Sequence, residues 1–584
     1  MAERKHTSKV IVAMMAVAVV LCLLAVGFAD KISYALGGTG VTMEYESKLF
    51  DTDEVMEINI EMDEETWNEM LENALTEEYY VCDVTINGEK VSNVAIRPKG
   101  NTSLSSIAMD DTTDRYSLKL EFDHFVDGQT CYGLDKLILN NNFADATNMK
   151  EAIIYDMFQY LGADASLYNY AKVSVNGEYI GVYLALEAVE QSFMLRNFGT
   201  QDGELYKPDS MEMGGDSSKS SKSESDKSGF PGGDFEMPDM SEMPNMGDFN
   251  PGDFEPGDGS SDSDRPSFGG PGGFPGGQGF GKPGDDDSSR PEKPDGENFT
   301  PGEDFNPEDM ENFNPGEGGF PGGGFGGFMG GGGANLNYTD DDLDSYETIW
   351  DGEITTTGKK DHERVVKALK NISEGNDIET YMDVDNILKY MAVHTFSVNM
   401  DSLSGSMAHN YYLYEYDGKL NIFPWDYNLS LGGMGMGGTD ATETINDAID
   451  TPFSSTNFFD ALLENEEYLA KYHEYLQMLV DEYVNGGRFD EVYNRIRSQI
   501  DELVETDPTA FFTYDEYTEA ADTLYKVIKL RAESIDGQLN GTIPSTDEGQ
   551  REDSSSFVDA SDIDLSVMGS MGGSFKETGH RQKR

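Results

Sequence analysis

Along the chain the spacing of apolar positions changes from a period of two to a period near 3.6, and the change divides the molecule. Residues 55–60 alternate as a half-buried strand, and Asp63 is placed to cap a helix over 64–75. Runs 79–86 and 91–96 flank Asn87-Gly88, and runs 171–175 and 179–186 flank Asn176-Gly177. Each predicts a hairpin, because such pairs tolerate the positive φ that a two-residue turn demands. Residues 116–122 alternate, with Leu118, Leu120 and Phe122 on one face and Ser117, Lys119 and Glu121 on the other. A further strand is predicted over 134–139. A helix over 147–161 carries Ile153, Ile154, Met157, Phe158 and Leu161 as its apolar stripe, and 188–198 reads as another helix. Beyond residue 335 the spacing is helical over 362–372, 378–396, 458–463, 468–484, 489–504 and 514–539. One hairpin interrupts it. Its turn is Asp417-Gly418, with Tyr416 facing Lys419, so that Asn410 falls opposite Trp425 and Asp426 comes next. The pattern predicts an α+β protein, with a β-rich part over 44–207 and a helical part over 335–540.

Composition changes that picture between the two parts. Residues 208–334 are dominated by Gly, Pro, Asp, Glu, Ser, Met and Phe, with loose repeats such as Asp-Phe-Asn-Pro-Gly. Such a segment cannot bury enough surface to offset its ordering entropy, and it reads as a disordered acidic insertion. Its serines at 216–228 and 287–289 offer hydroxyls in acidic surroundings, and its single phenylalanines offer contacts to a partner; a passive linker is the simpler reading. Residues 541–584 read as a disordered polar tail. At the other end, Arg4, Lys5 and Lys9 precede an uncharged apolar run over 10–29, about the length of a membrane-spanning helix. Basic residues before it put the bulk of the chain outside. Gly27-Phe28-Ala29 also fits a signal-peptidase site, so residues 1–30 suit an anchor or a cleaved signal peptide.

The formal net charge is -69, from 110 acidic and 41 basic residues, which excludes a nucleic-acid partner and suits divalent cations or basic ligands. Of three cysteines, Cys22 lies in the apolar run, while Cys82 and Cys131 are able to pair outside the cell. No zinc-ligand spacing occurs, and no Asp-x-Asp-x-Asp-Gly calcium loop is present.

Candidate chemistry gathers at the 417–418 hairpin. Asp401, Asn410 and Asp426 are three oxygen donors brought to one end of a ribbon, and hard oxygen ligands are what Mg2+ requires. Taken singly, each also fits a local turn or cap. Arg97-Pro-Lys-Gly-Asn-Thr-Ser reads as a loop whose amides, hydroxyls and Lys99 suit phosphate, or as an ordinary polar connection. Lys119 stands on a strand, a position equally at home on a solvated face. Glu151 near the start of a helix either pairs with that lysine or compensates the helix dipole. His409 is near the site, and His394, within an apolar helix, reads as a packed core residue.

Asp401, then His409-Asn410-Tyr411, then Pro424-Trp425-Asp426 resembles the pattern of the spore-coat-protein-H (CotH) kinase family, atypical secreted or surface kinases. The 97–103 segment, Asn-Gly-Glu-Tyr-Ile-Gly-Val-Tyr at 176–183 and Gly203-Glu-Leu-Tyr-Lys207 extend the likeness. The resemblance implies a two-lobed, protein-kinase-like fold with a β-rich N-lobe and a helical C-lobe. It implies ATP and Mg2+ (or Mn2+), with Asp401 receiving the acceptor hydroxyl's proton and Asp426 and Asn410 holding the metal. Lys99, Lys119 and Lys207 would attend the phosphates, Glu151 would pair with Lys119, and the backbone around Glu187 would meet the adenine edge. The pattern departs from ordinary kinases: Asn410 lies nine residues after Asp401, and neither His-Arg-Asp nor Asp-Phe-Gly occurs. Where the family often carries a second acid after Pro-Trp-Asp, this chain has Asn428. The expected function is an extracytoplasmic Ser/Thr protein kinase acting on Ser/Thr-rich surface or envelope proteins. The alternative is an inactive, membrane-tethered scaffold of the envelope or spore coat.

Overall fold

The computed structural model describes residues 41–208, 334–405, 407–434, 440–453 and 455–571. The expected anchor over 1–30 and nearly all of the 208–334 insertion lie outside the described residues. Among the described residues no helix is long and apolar enough to cross a membrane.

The predicted strands appear as β1 (Met56–Glu61), β2 (Tyr80–Ile86), β3 (Glu89–Lys99), β4 (Ser117–Glu121), β5 (Lys136–Asn140), β6 (Tyr168–Val175) and β7 (Glu178–Glu187). They do not form an open kinase-like sheet. They close into a barrel in the order β1-β2-β3-β4-β5-β7-β6. Closure comes from a parallel pairing of β1 with β6, Ile58 facing Val173, while the other neighbours run antiparallel. A closed barrel has no exposed edge. Ile58, Val84, Ile96, Leu118, Leu137 and Val173 meet in its single apolar core. The alternation predicted for 116–122 holds: Leu118 and Leu120 point inward, while Lys119 on the other face is only partly covered.

A second, three-stranded sheet holds β8 (Glu204–Tyr206), β9 (Tyr411–Tyr416) and β10 (Lys419–Pro424) in the order β10-β9-β8. Tyr416 faces Lys419 as the pattern requires, and the turn residues Asp417 and Gly418 have φ of 51° and 83°. The helical part is built from Lys359–Ser373, Val384–Ser397, Glu466–Met478, Arg488–Glu505 and Tyr514–Leu539. The helix expected over 378–396 breaks at Met382-Asp383. Met382 pairs with Leu420 in a strand-like bridge, and Asp383 then caps the Val384–Ser397 helix through the Asn386 amide.

One further expectation needs correction, and the open question of Cys82 and Cys131 is answered. Residues 541–571 are not a loose tail: Asp547–Glu552 is helical, and the turn Leu565–Met568 buries Leu565 and Met568. The Ala146 amide donates to the Met568 carbonyl at 3.1 Å, and the Met571 amide to the Gly433 carbonyl at 3.0 Å. A few apolar residues in one short turn give no periodic signal, which is why composition misled. Cys82 and Cys131 are buried free thiols rather than a disulfide, and burial pushes both up to about 12.

The barrel is tied to the helical part by a buried ion pair, Arg115 Nη1 to Asp507 Oδ2 at 2.7 Å. Gly181, at φ 150°, lies against this pair, and a side chain there would collide with the guanidinium and the carboxylate.

Candidate active site

The outer face of β3, β4 and β5 is the barrel's contribution to the site. In that register Lys99 faces Ser117 and Lys119 faces Ile138, so both lysines stand on the side away from the barrel core. The segment expected as a loop over 97–103 is mostly regular. β3 continues through Pro98 to Lys99, and a helix over Thr102–Ala108 begins almost at once. Only Gly100 and Asn101 connect them. Gly100 has φ of 124°, and a Cβ there would approach Ser103 Oγ to 2.7 Å, so the tight join requires glycine.

Opposite this face lie the residues on either side of the β9–β10 ribbon. Asn410, just before β9, donates from Nδ2 to the Asp401 carbonyl at 2.8 Å and to Asp401 Oδ2 at 3.2 Å. Both bonds use the amide nitrogen and leave Oδ1 available as an oxygen donor. Asp426 follows β10. Asn410 and Asp426 have φ of 56° and 59°, the left-handed region that costs most side chains free energy. Val398, with φ of 46°, ends the helix that delivers Asp401, and a β-branched residue in that region is a stronger outlier. Left-handed backbone at several positions around one cluster marks a site that the surrounding fold holds in place. Asn399 joins the two sides: its Oδ1 accepts the Asp401 amide at 3.3 Å and its Nδ2 donates to the Asp426 carbonyl at 3.2 Å.

Charge completes the cluster. Burial raises the Asp426 carboxyl above the usual carboxylate range, Asp401 adds to that rise, and Lys99, Lys207 and His409 oppose it. Lys99 is only partly covered as a whole residue, yet its ammonium is enclosed. Burial lowers it to about 8 against the pull of Asp426 and Glu151. Lys99 Nζ donates to Asn140 Oδ1 at 3.1 Å and stands 5.4 Å from the centre of the Trp425 ring. Asn140 in turn donates to Glu151 Oε2 at 2.9 Å. Burial and Asp426 push the Glu151 carboxyl up to about 8.

Six of the eight candidates therefore converge: Asp401, Asn410, Asp426, Lys99, Lys207 and Glu151. Lys119 does not: it is paired with Glu190 at 3.0 Å rather than with Glu151, and Lys136 joins the same carboxylate. Glu151 instead serves Lys99 through Asn140. The Glu187 carboxylate is fully buried and occupied, receiving Arg196 Nη2 at 2.6 Å, the Tyr45 hydroxyl at 2.5 Å and the Leu167 amide at 3.1 Å. This side chain braces the barrel, whereas the adenine-edge expectation concerns the backbone around Glu187. Asn140 and Asn399 escaped the sequence reading, since an amide that bridges two loops has no local signature. His394 is the packed core residue it was expected to be. Its ring contacts Tyr427 Oη at 3.1 Å and Ser404 Oγ at 2.8 Å, and burial lowers it to about 3.

The cluster suits a divalent cation only in company. Asp426 and Asn410 Oδ1 supply two hard oxygens, and among the described residues no group of three His, Cys, Asp or Glu forms a complete cage. Mg2+ is commonly held in that way, by one or two carboxylates with phosphate and water making up the rest. A separate cavity of about 1050 Å³ lies along the Tyr514–Leu539 helix, between Tyr525, Lys529, Asp559 and Ile563, and no candidate residue lines it.

Lysines and carboxylates gathered in this way are residue types that phosphoryl transfer uses. The family model described as CotH kinase protein matches residues 96–236 and 305–535, and the chain belongs to that family, whose chemistry is kinase-type phosphoryl transfer. No curated protein matches the chain.

Proposed function

We propose that this chain is an extracytoplasmic, ATP-dependent protein kinase that phosphorylates Ser or Thr hydroxyls of surface or envelope proteins. The observation that carries the reading is the convergence of Asp401, Asn410 and Asp426 with Lys99 and Lys207. The acceptor oxygen forms a bond to the γ-phosphorus. The bond from that phosphorus to the β–γ bridging oxygen breaks, and ADP leaves with its electron pair. Asp401 orients the hydroxyl and receives its proton, which then passes to solvent. Lys99 and Lys207 place positive charge beside the phosphate oxygens, and Asn410 ties the Asp401 loop to the ribbon. Mg2+ or Mn2+, when held by Asp426 and Asn410 Oδ1, supplies further neutralisation of phosphate charge. The apolar run over 10–29 and the family's association with the spore coat support action outside the cytoplasm.

One observation favours a second reading, an inactive scaffold that keeps the fold. Asn428, in place of a second acid, donates to the Phe143 carbonyl at 2.9 Å and adds no charge for a cation. A thermal-shift titration with Mg-ATP separates the two. With Mg-ATP at a hundred times its Kd, a binding-competent chain gains about 2.7 kcal/mol of stability, and a scaffold gains none. In the first case Asp426→Ala should abolish both the stabilisation and phosphate incorporation into dephosphorylated casein. Undiminished transfer by that variant removes Asp426 from the mechanism.

A further inference from the structure

Asp401 is contacted at both carboxylate oxygens, and the two contacting residues are consecutive. His409 Nε2 lies 2.8 Å from Oδ1, and Asn410 Nδ2 lies 3.2 Å from Oδ2. In an extended strand, neighbouring side chains point to opposite faces. Here Ala408 and Asn410 take φ of 47° and 56°, which breaks that alternation just before β9 and lets both side chains reach one carboxylate. The arrangement matters because the terminal torsion of an aspartate is soft: one donor leaves the carboxylate plane free to turn, and two fix it. Asp401 is itself buried at 6 % exposure, while His409 and Asn410 close its open side.

Asn410 is shared, since its Oδ1 is the atom offered to a cation. His409 is the contact left to the carboxylate plane. We propose that His409 is a positioning residue: it sets the orientation of Asp401 toward the acceptor hydroxyl and takes no part in holding nucleotide. The proposal rests on the kinase reading of this site and adds to it a division of labour. Lys99, Lys207 and Asp426 govern nucleotide affinity, whereas His409 governs the turnover of bound nucleotide.

The test compares the full chain with His409→Ala and His409→Gln, since a glutamine amide can offer a donor near the place of Nε2. Mg-ATP affinity is measured by calorimetry, kcat and KM with dephosphorylated casein, and folding by thermal melting. The expected result is a fall in kcat of about 10–100-fold for His409→Ala, the scale of a misplaced reacting group, with nucleotide Kd within about twofold of wild type. His409→Gln should recover a substantial part of kcat. The proposal is overturned if His409→Ala turns over as wild type does, if nucleotide Kd weakens in step with kcat, or if a folded His409→Gln is no better than alanine. A wild-type chain that transfers no phosphate overturns the kinase reading itself, and this proposal with it.

Discussion

The buried pair of Arg115 and Asp507 offers the sharpest test of how the cleft is held together. Arg115 lies two residues before β4, and Asp507 follows the Arg488–Glu505 helix, so the pair spans the barrel and the helical part. The two side chains are 2 % and 1 % exposed. Arg115 also donates to the carbonyls of Asn141 at 3.1 Å and Val182 at 2.5 Å, and to Thr509 Oγ1 at 2.8 Å. Asp507 accepts the Val182 amide at 3.0 Å and the Thr509 amide at 2.8 Å. Asp507→Ala leaves a buried guanidinium without a counter-charge and two amides without an acceptor. Breaking a buried pair in this way costs about 3–5 kcal/mol, and the lost amide bonds place the expected loss in the upper half of that range. Urea unfolding reads it as a fall in midpoint at constant m. Removing both charges, in Arg115→Met with Asp507→Leu, should recover much of the loss, because apolar replacements of buried pairs are often close to neutral. A loss below about 1 kcal/mol for Asp507→Ala, or a double variant as unstable as the single one, refutes the argument that uncompensated charge dominates here.

Three other predictions concern the core, the site and the hairpin turn. Burial lowers His394 to about 3 from an ordinary value of 6.5, so the unfolded chain takes up its proton first. The stability this group confers is complete above pH 6.5 and falls on acidification by about 1.4 kcal/mol per pH unit. Between pH 7 and 5 the wild type should therefore lose about 2 kcal/mol more than His394→Asn in urea unfolding, and equal losses would count against a buried neutral imidazole. Lys99→Met should eliminate the Mg-ATP thermal shift while Lys119→Met, whose lysine is committed to Glu190, keeps most of it; the reverse ranking sinks the assignment. Gly418→Ala, at φ of 83° with open space around the added methyl, should cost about 1 kcal/mol through backbone strain alone, and a loss several times larger in thermal melts would mean a contact has been missed.

The site separates what binds from what braces. Lys119 and Lys136 share Glu190, and Glu187 is consumed by Arg196 and Tyr45, so these charges stiffen the barrel wall. Among the described residues, Lys99 differs in having an amide oxygen within hydrogen-bond reach and no carboxylate, its carboxylate neighbours acting at longer range. An ammonium held near buried carboxylates without a direct ion pair is suited to receive an anionic ligand, which adds phosphate oxygens where the protein supplies none.

Local pattern alone determined the elements. Alternation and the Asn-Gly and Asp-Gly pairs specified the three hairpins, including the pairing of Tyr416 with Lys419, because turn chemistry and side-chain period act within a few residues. The helical stripes and the meeting of Asp401, Asn410 and Asp426 followed from the same short-range rules. What these rules do not carry is the closing pair of β1 and β6, more than a hundred residues apart in sequence, which turns a sheet into a barrel. Nor do they carry the partner each charge finds. Lys119 lies equally well beside Glu151 or Glu190 when only its strand is known, and the strand order β4-β5-β7 brings Glu190, just past β7, to it. The stretch ending at Met571 looked like solvent-exposed tail because its few apolar residues have no period; they gain a surface only once Gly433 and Ala146 have been assembled beside them. Long-range pairing and burial belong to the whole chain, and electrostatics in this site follows burial.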